Sequence, residues 1–105
     1  MQSVDFSRAD RLSDQIKSEI SLILREEVKD PRLEGLTLIR VQLSKDIRKA
    51  FIFYSPINSF NDKKMNEIEQ GLLKAKGFIK ILLGKRLKIK RLPELFFEED
   101  KSVIS

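Results

Sequence analysis

The stretch from Lys74 to Arg91, KAKGFIKILLGKRLKIKR, carries eight basic side chains and no acidic one. Lys74, Lys76, Lys80, Lys85, Arg86, Lys88, Lys90 and Arg91 supply them, and Gly77 stands in their midst. Cations without counter-charges on the same segment suit an anionic partner, phosphate above all, because each neutralised phosphate releases condensed counterions. A solvated helix face ordinarily mixes the two signs, as this chain does around Glu67 and Glu69. The run is therefore read as a phosphate-binding surface. Gly77 sharpens that reading. Glycine inside a helix costs roughly 1 kcal/mol relative to alanine. A break there would free backbone N–H groups at the start of the next helical segment, where the helix dipole also favours an anion. Gly71 and Gly84 fall in the same pattern; at Gly71, close packing of helix on sheet is an equally good account.

Other chemistries are removed by composition. The chain has no cysteine and no histidine, which excludes disulfides, thiol chemistry, zinc-finger sites and Ser-His or Cys-His catalysis. Glu98, Glu99 and Asp100 are consecutive acids with no nucleophilic or basic companion, and no GxxxxGK[ST] loop is present. No enzyme, cofactor or metal is expected. A net charge of +5 and a pI near 9.6 favour an anionic partner without identifying it. No apolar run approaches the roughly 20 residues needed to cross a bilayer, and MQSVDFSRAD lacks a signal-peptide core. The expectation is a soluble, cytoplasmic protein.

The elements that must position the basic run follow from periodicity. At 105 residues the chain is expected to form one domain, residues 1–105, around one modest core. Ser7 is a good N-cap with Asp10 in the capping-box position, and Leu12, Ile16, Ile20, Ile23 and Leu24 then recur at helical spacing until Asp30-Pro31. Leu36 to Ser44 alternates, with Ile39, Val41 and Leu43 on one side and Arg40 and Gln42 on the other. Ser44-Lys45-Asp46 is turn chemistry, and Ala50 to Ser55 reads as a second strand. A loop from Pro56 to Asn61 precedes a long helical pattern capped by Asn61 or Asp62, in which Met65, Ile68, Leu72, Ala75, Ile79 and Leu82 form the apolar stripe. Glu94 to Glu98, opened by Pro93, is a short third strand. The economical packing is α+β, with a three-stranded sheet and helices on one face.

That order, helix-strand-strand-helix-kink-helix-strand with basic charge at the break, resembles a type II KH domain. KH domains ordinarily clamp the nucleic-acid backbone with a GxxG loop; here Ala75-Lys76-Gly77 stands at the break instead. This AxG variant is similar to that of the ribosome-binding factor A family. REEVKDPRL (25–33), LSKDIRKAFIF (43–53) and AKGFIKILLGKRLKIKRLPELFF (75–97) resemble that family's other blocks, so the likeness spans nearly the whole chain. Members commonly run on beyond the third strand, whereas this chain stops at Ser105.

The resemblance implies a bacterial assembly factor, not an enzyme, that acts as a monomer without a membrane. It would bind the free 30S small ribosomal subunit and assist late maturation of 16S rRNA, including its 5′ end, with special importance in the cold. Lys74, Lys76, Gly77, Lys80, Lys85, Arg86, Lys88 and Lys90 are the expected RNA-binding residues, and Ala75 with Gly77 the expected helix kink. The alternatives are a generic KH-type RNA-binding module and a basic protein–protein adaptor. A second surface is also raised. If Ala50, Ile52 and Tyr54 face the helices, Phe51 and Phe53 face away, and Phe96 turns outward while Leu95 and Phe97 are buried. Outward aromatics stack unpaired bases or pack on one another, and the second is favoured.

Overall fold

Helical spacing places Ile16, Ile20 and Ile23 on one side of the first helix, and all three are fully buried. The same spacing buries Ile68, Leu72, Ile79 and Leu83 of the second. The computed structural model describes residues 4–56 and 62–101. Its elements are α1 (Val4–Glu26), a 3-10 turn (Pro31–Leu33), β1 (Leu36–Leu43), β2 (Lys49–Pro56), α2 (Asp62–Leu87) and β3 (Glu94–Glu99). The sheet runs β1-β2-β3, with β1 antiparallel and β3 parallel to β2. Parallel neighbours need a crossover, and α2 supplies it. Leu38, Ala50, Ile52, Tyr54 and Leu95 face the helices and complete the core. The expected α+β architecture, with both helices on one sheet face, is the one observed.

Four local details differ from the sequence reading. First, α1 begins at Val4 and runs through Ser7, because a capping residue marks where a helix is able to start and does not forbid an earlier start. Second, Leu38 and not Ile39 faces the core: the β1–β2 register shifts between Leu38 and Arg40, and such a bulge moves the preceding side chains to the other face. Third, the expected helix pair is one helix. α2 continues unbroken through Ala75 and Gly77 to Leu87, so the N–H groups that a break would free lie within its ladder. Fourth, Leu83 is fully buried while Leu82, the expected stripe residue, is only partly so. The loop expected after Pro56 and the alternative cap Asn61 lie outside the described residues.

Between α1 and β1 the chain makes a tight knob. Asp30 caps the 3-10 turn by accepting from the Arg32 backbone N–H at 3.0 Å. The Arg32 guanidinium closes back on the same carboxylate, with Nη2 to Oδ2 at 2.7 Å. Leu33 thereby drops onto α2 at Gly71, where an added Cβ would stand 3.0 Å from Leu33 Cδ2. Gly71 is thus a packing glycine.

The hydrogen bonds from the Arg32 side chain and backbone hold the Asp30 carboxyl at about 2, below its ordinary 3.8. A carboxylate depressed on folding stabilises the fold above its unfolded value and loses that contribution as pH falls through its folded one. Asp30→Asn is expected to lower the thermal midpoint at neutral pH. The difference from the parent should shrink as pH falls from 3.8 toward about 2, a trend that thermal unfolding at stepped pH reads directly.

Candidate nucleic-acid interface

Burying the Ile68–Leu72–Ile79–Leu83 stripe turns the opposite arc of α2 to solvent. Lys74, Gly77, Lys80 and Lys85 lie on that arc and are exposed. Beyond the helix end, Lys88, Lys90 and Arg91 are exposed as well. Lys88 adopts a φ of 54° and bonds its N–H back to the Gly84 carbonyl at 3.3 Å, ending the helix in the left-handed conformation usual there. The structure therefore gathers Lys74, Gly77, Lys80 and Lys85 on one face and extends the charge past it.

Two of the sequence-derived residues have partners within the fold. Arg86 leans onto α1, with Nη1 3.2 Å from Glu19 Oε1 and Nη2 3.7 Å from Glu27 Oε2. Its charge ties the two helices together and is largely spent there. Lys76 lies toward β3, its Nζ 4.0 Å from Glu94 Oε2 and 5.2 Å from the Phe96 ring centroid. Both pairings join residues distant in sequence, so nothing local announced them.

The same face carries residues absent from the basic reading. Leu73 and Ile81 are 66% and 61% exposed, and Phe78 is 45% exposed. With Gly77 between Leu73 and Ile81 at successive four-residue steps, they make an apolar track flanked by lysines. The signal was available in the sequence, because all three apolar residues fall off the buried stripe.

Gly77 differs from the other glycines of α2. Added Cβ atoms would meet Leu33 at Gly71 and, at 3.2 Å, Leu92 Cδ1 at Gly84; at Gly77 they would meet nothing within 4 Å. No contact inside the described fold accounts for a glycine there.

Charge is also polarised along the molecule. A cleft of about 200 Å3 between the N-terminal half of α2 and β3 has Glu69 and Glu98 in its wall. Burial, followed by the charges of Glu69 and Glu99, pushes the Tyr54 hydroxyl up. Lys76 lines the same cleft, so its wall mixes the two signs, whereas Lys74, Lys80 and Lys85 have no acidic neighbour on their stretch of α2. The outer sheet face is occupied by its own contacts. Phe51 and Phe96 stack at 5.4 Å, and the Arg40 guanidinium sits 4.0 Å over the Phe53 ring while bonding buried Asp100 at 2.7 Å. The outward aromatics thus pack on one another and on Arg40.

With this geometry in hand, comparison with known proteins decides the family. The family model described as ribosome-binding factor A matches residues 8–105. The chain belongs to the ribosome-binding factor A family. A relative of that name from Dictyoglomus thermophilum is 48% identical over 97 residues, covering 91% of this chain and 79% of its own length. The crystal structure of ribosome-binding factor A from Thermus thermophilus is similar with a TM-score of 0.76 at 25% identity, over 87% of this chain and 93% of that one. A homology model of the Thermus thermophilus factor, fitted into the cryo-electron microscopy map of its complex with 30S, has a TM-score of 0.65. At 23% identity, over 94% of this chain and 98% of that one, it bears on the fold alone. The KH-like architecture expected from the sequence is the ribosome-binding factor A architecture. Among the described residues, no helix is long and apolar enough to cross a membrane, and no His, Cys, Asp and Glu group is placed to hold a metal ion.

Arg86→Ala tests the division between structural and free cations. Removing its two part-exposed ion pairs is expected to lower unfolding stability by about 0.5 to 1 kcal/mol, whereas Lys80→Ala should leave stability within about 0.5 kcal/mol. Urea titration of the two variants checks both values, and a Glu19→Ala cycle should recover part of the Arg86 effect as coupling.

Proposed function

We propose that this chain binds the free small ribosomal subunit through the exposed face of α2 and assists late maturation of 16S rRNA, including its 5′ end. It acts as a binding factor in the cytoplasm, as a monomer and without catalysis of its own, and its contribution is greatest in the cold. Lys74, Lys80 and Lys85 grip rRNA phosphates, with Lys88, Lys90 and Arg91 extending the contact. Lys76 and Arg86 add field to that surface more than direct contacts. Phosphate contacts carry register and no base identity, which suits a factor that grips a folded RNA without reading a sequence.

The observation that carries this reading is Gly77. A solvent-facing glycine in an unbroken helix costs roughly 1 kcal/mol for no internal contact. Its benefit lies in what approaches from outside: without a Cβ, a ribose-phosphate backbone comes close to the helix axis between Leu73 and Ile81. The helix stays continuous through Gly77, and the glycine leaves a bare place on its exposed side. The membership in the ribosome-binding factor A family and the polarity of the surface support the same partner.

Gly77→Ala separates fold from function. It is expected to stabilise the domain by up to about 1 kcal/mol while weakening small-subunit affinity about tenfold. Lys80→Glu should reduce the magnitude of the log-affinity against log-salt slope by about 0.7 to 0.9 per lost phosphate contact. Sedimentation of lysate should find the parent with free small subunits and scarce on translating ribosomes. A Gly77→Ala protein that is more stable and binds as well as the parent would overturn the reading, as would equal presence on polysomes.

A further inference from the structure

Beside the lysine face lies a depression of about 440 Å3, on the side of α2 away from β3, where the end of α1 and the 3-10 turn meet the helix. Its apolar lining is Val28, Pro31, Ala75 and Phe78, and Lys29 and Lys74 also line it. We propose that this pocket receives a single unpaired nucleobase, stacked on the ring of Phe78, while Lys29 and Lys74 hold the adjoining phosphates. The proposal rests on the reading of the α2 face as an RNA-binding surface and adds to it a contact with a base.

Three observations favour a base as the occupant. Phe78, the one aromatic residue of α2, is 45% exposed, and no ring of the described fold stacks on it. Ala75 is the small residue next to it in the lining; a larger side chain there would fill the depression. The charges match. Of the carboxylates in the lining, Asp30 is closed by the Arg32 fork at 2.7 Å, and Glu27 faces Arg86 at 3.7 Å. Lys29 and Lys74 are both exposed. A shallow depression with an aromatic side and a cationic rim is complementary to a base on a phosphodiester chain. An acidic peptide would satisfy the rim and leave the ring without a stacking partner.

The sequence contains no tryptophan, so Phe78→Trp places a lone indole in the pocket as a reporter. Single-stranded oligoribonucleotide is expected to quench it, and an abasic strand of equal length and charge is not. Base stacking also predicts that Phe78→Ala and Phe78→Leu both lower small-subunit affinity, by about 5- to 150-fold for Ala, with an unchanged salt slope. Leucine keeps the apolar bulk and the fold, so full binding by Phe78→Leu would show an aliphatic contact and overturn the proposal. Equal quenching by the abasic strand would overturn it too. Lys74→Glu and Lys80→Glu separate the two levels. If they flatten the salt slope while the Phe78 variants bind like the parent, the face binds RNA and the base pocket is wrong. If the lysine variants bind like the parent, the face is not the RNA site and the pocket falls with it.

Discussion

The seam between α2 and the rest of the core is the constraint from which the other features follow. Ile68, Leu72, Ile79 and Leu83 are almost wholly buried against a core made by α1 and the sheet. Burying one such side chain is worth roughly 1.5–3 kcal/mol, so the four together outweigh the roughly 3 kcal/mol that three interior glycines cost. That comparison explains why the helix does not break at Gly77. A break would unseat Ile79 and Leu83 to relieve a single glycine. The same seam sets the rotation of the helix, and hence which lysines meet solvent.

The three glycines then have different reasons to be there, which their shared sequence context conceals. Gly71 admits the knob built by Asp30, Arg32 and Leu33 and so fixes the end of α1 against the middle of α2. Gly84 lies under Leu92, on the segment that brings the chain back to β3. A Cβ at Gly77 would meet nothing within 4 Å. Sequence alone singled out Gly77 by the charge around it, and in the fold it differs from the other two by the open space around it. The physical reason assigned to it, a helix break, does not survive. Local propensity is a weak term, and it yields to tertiary burial.

Much of the fold was legible because it rests on local periodicity. The order of elements, the α1 stripe, the inward Ala50–Ile52–Tyr54 row and the outward aromatics all follow from spacing of two or of three and four. What escaped depends on long-range pairing. The bulge at Leu38–Arg40 is fixed by where β1 meets β2, and no residue type there signals it. The capture of Arg86 by Glu19 and Glu27, and of Lys76 by Glu94, needs the packed helices before it has any meaning. A run of like charges shows where cations are dense, not which of them are free.

That distinction bears on how a polyanion would meet the molecule. A uniform basic surface attracts RNA without orienting it. Here Glu69, Glu98 and Glu99 line the clefts beside β3 together with Lys76 and Lys101, while Lys74, Lys80 and Lys85 lie on the far half of the helix with no acid among them. Such a gradient along α2 would give an approaching backbone a preferred direction before any contact forms. Salt screens such steering within about 10 Å at 0.1 M, so steering alone makes a grip that ionic strength dissolves. The exposed Leu73, Phe78 and Ile81 provide the other kind of contact, short-ranged and little affected by salt. With Gly77 flat between them, close approach of the partner becomes the condition for using them. On the proposed reading, charge would bring the partner to the face, and fit to the glycine would decide whether it stays.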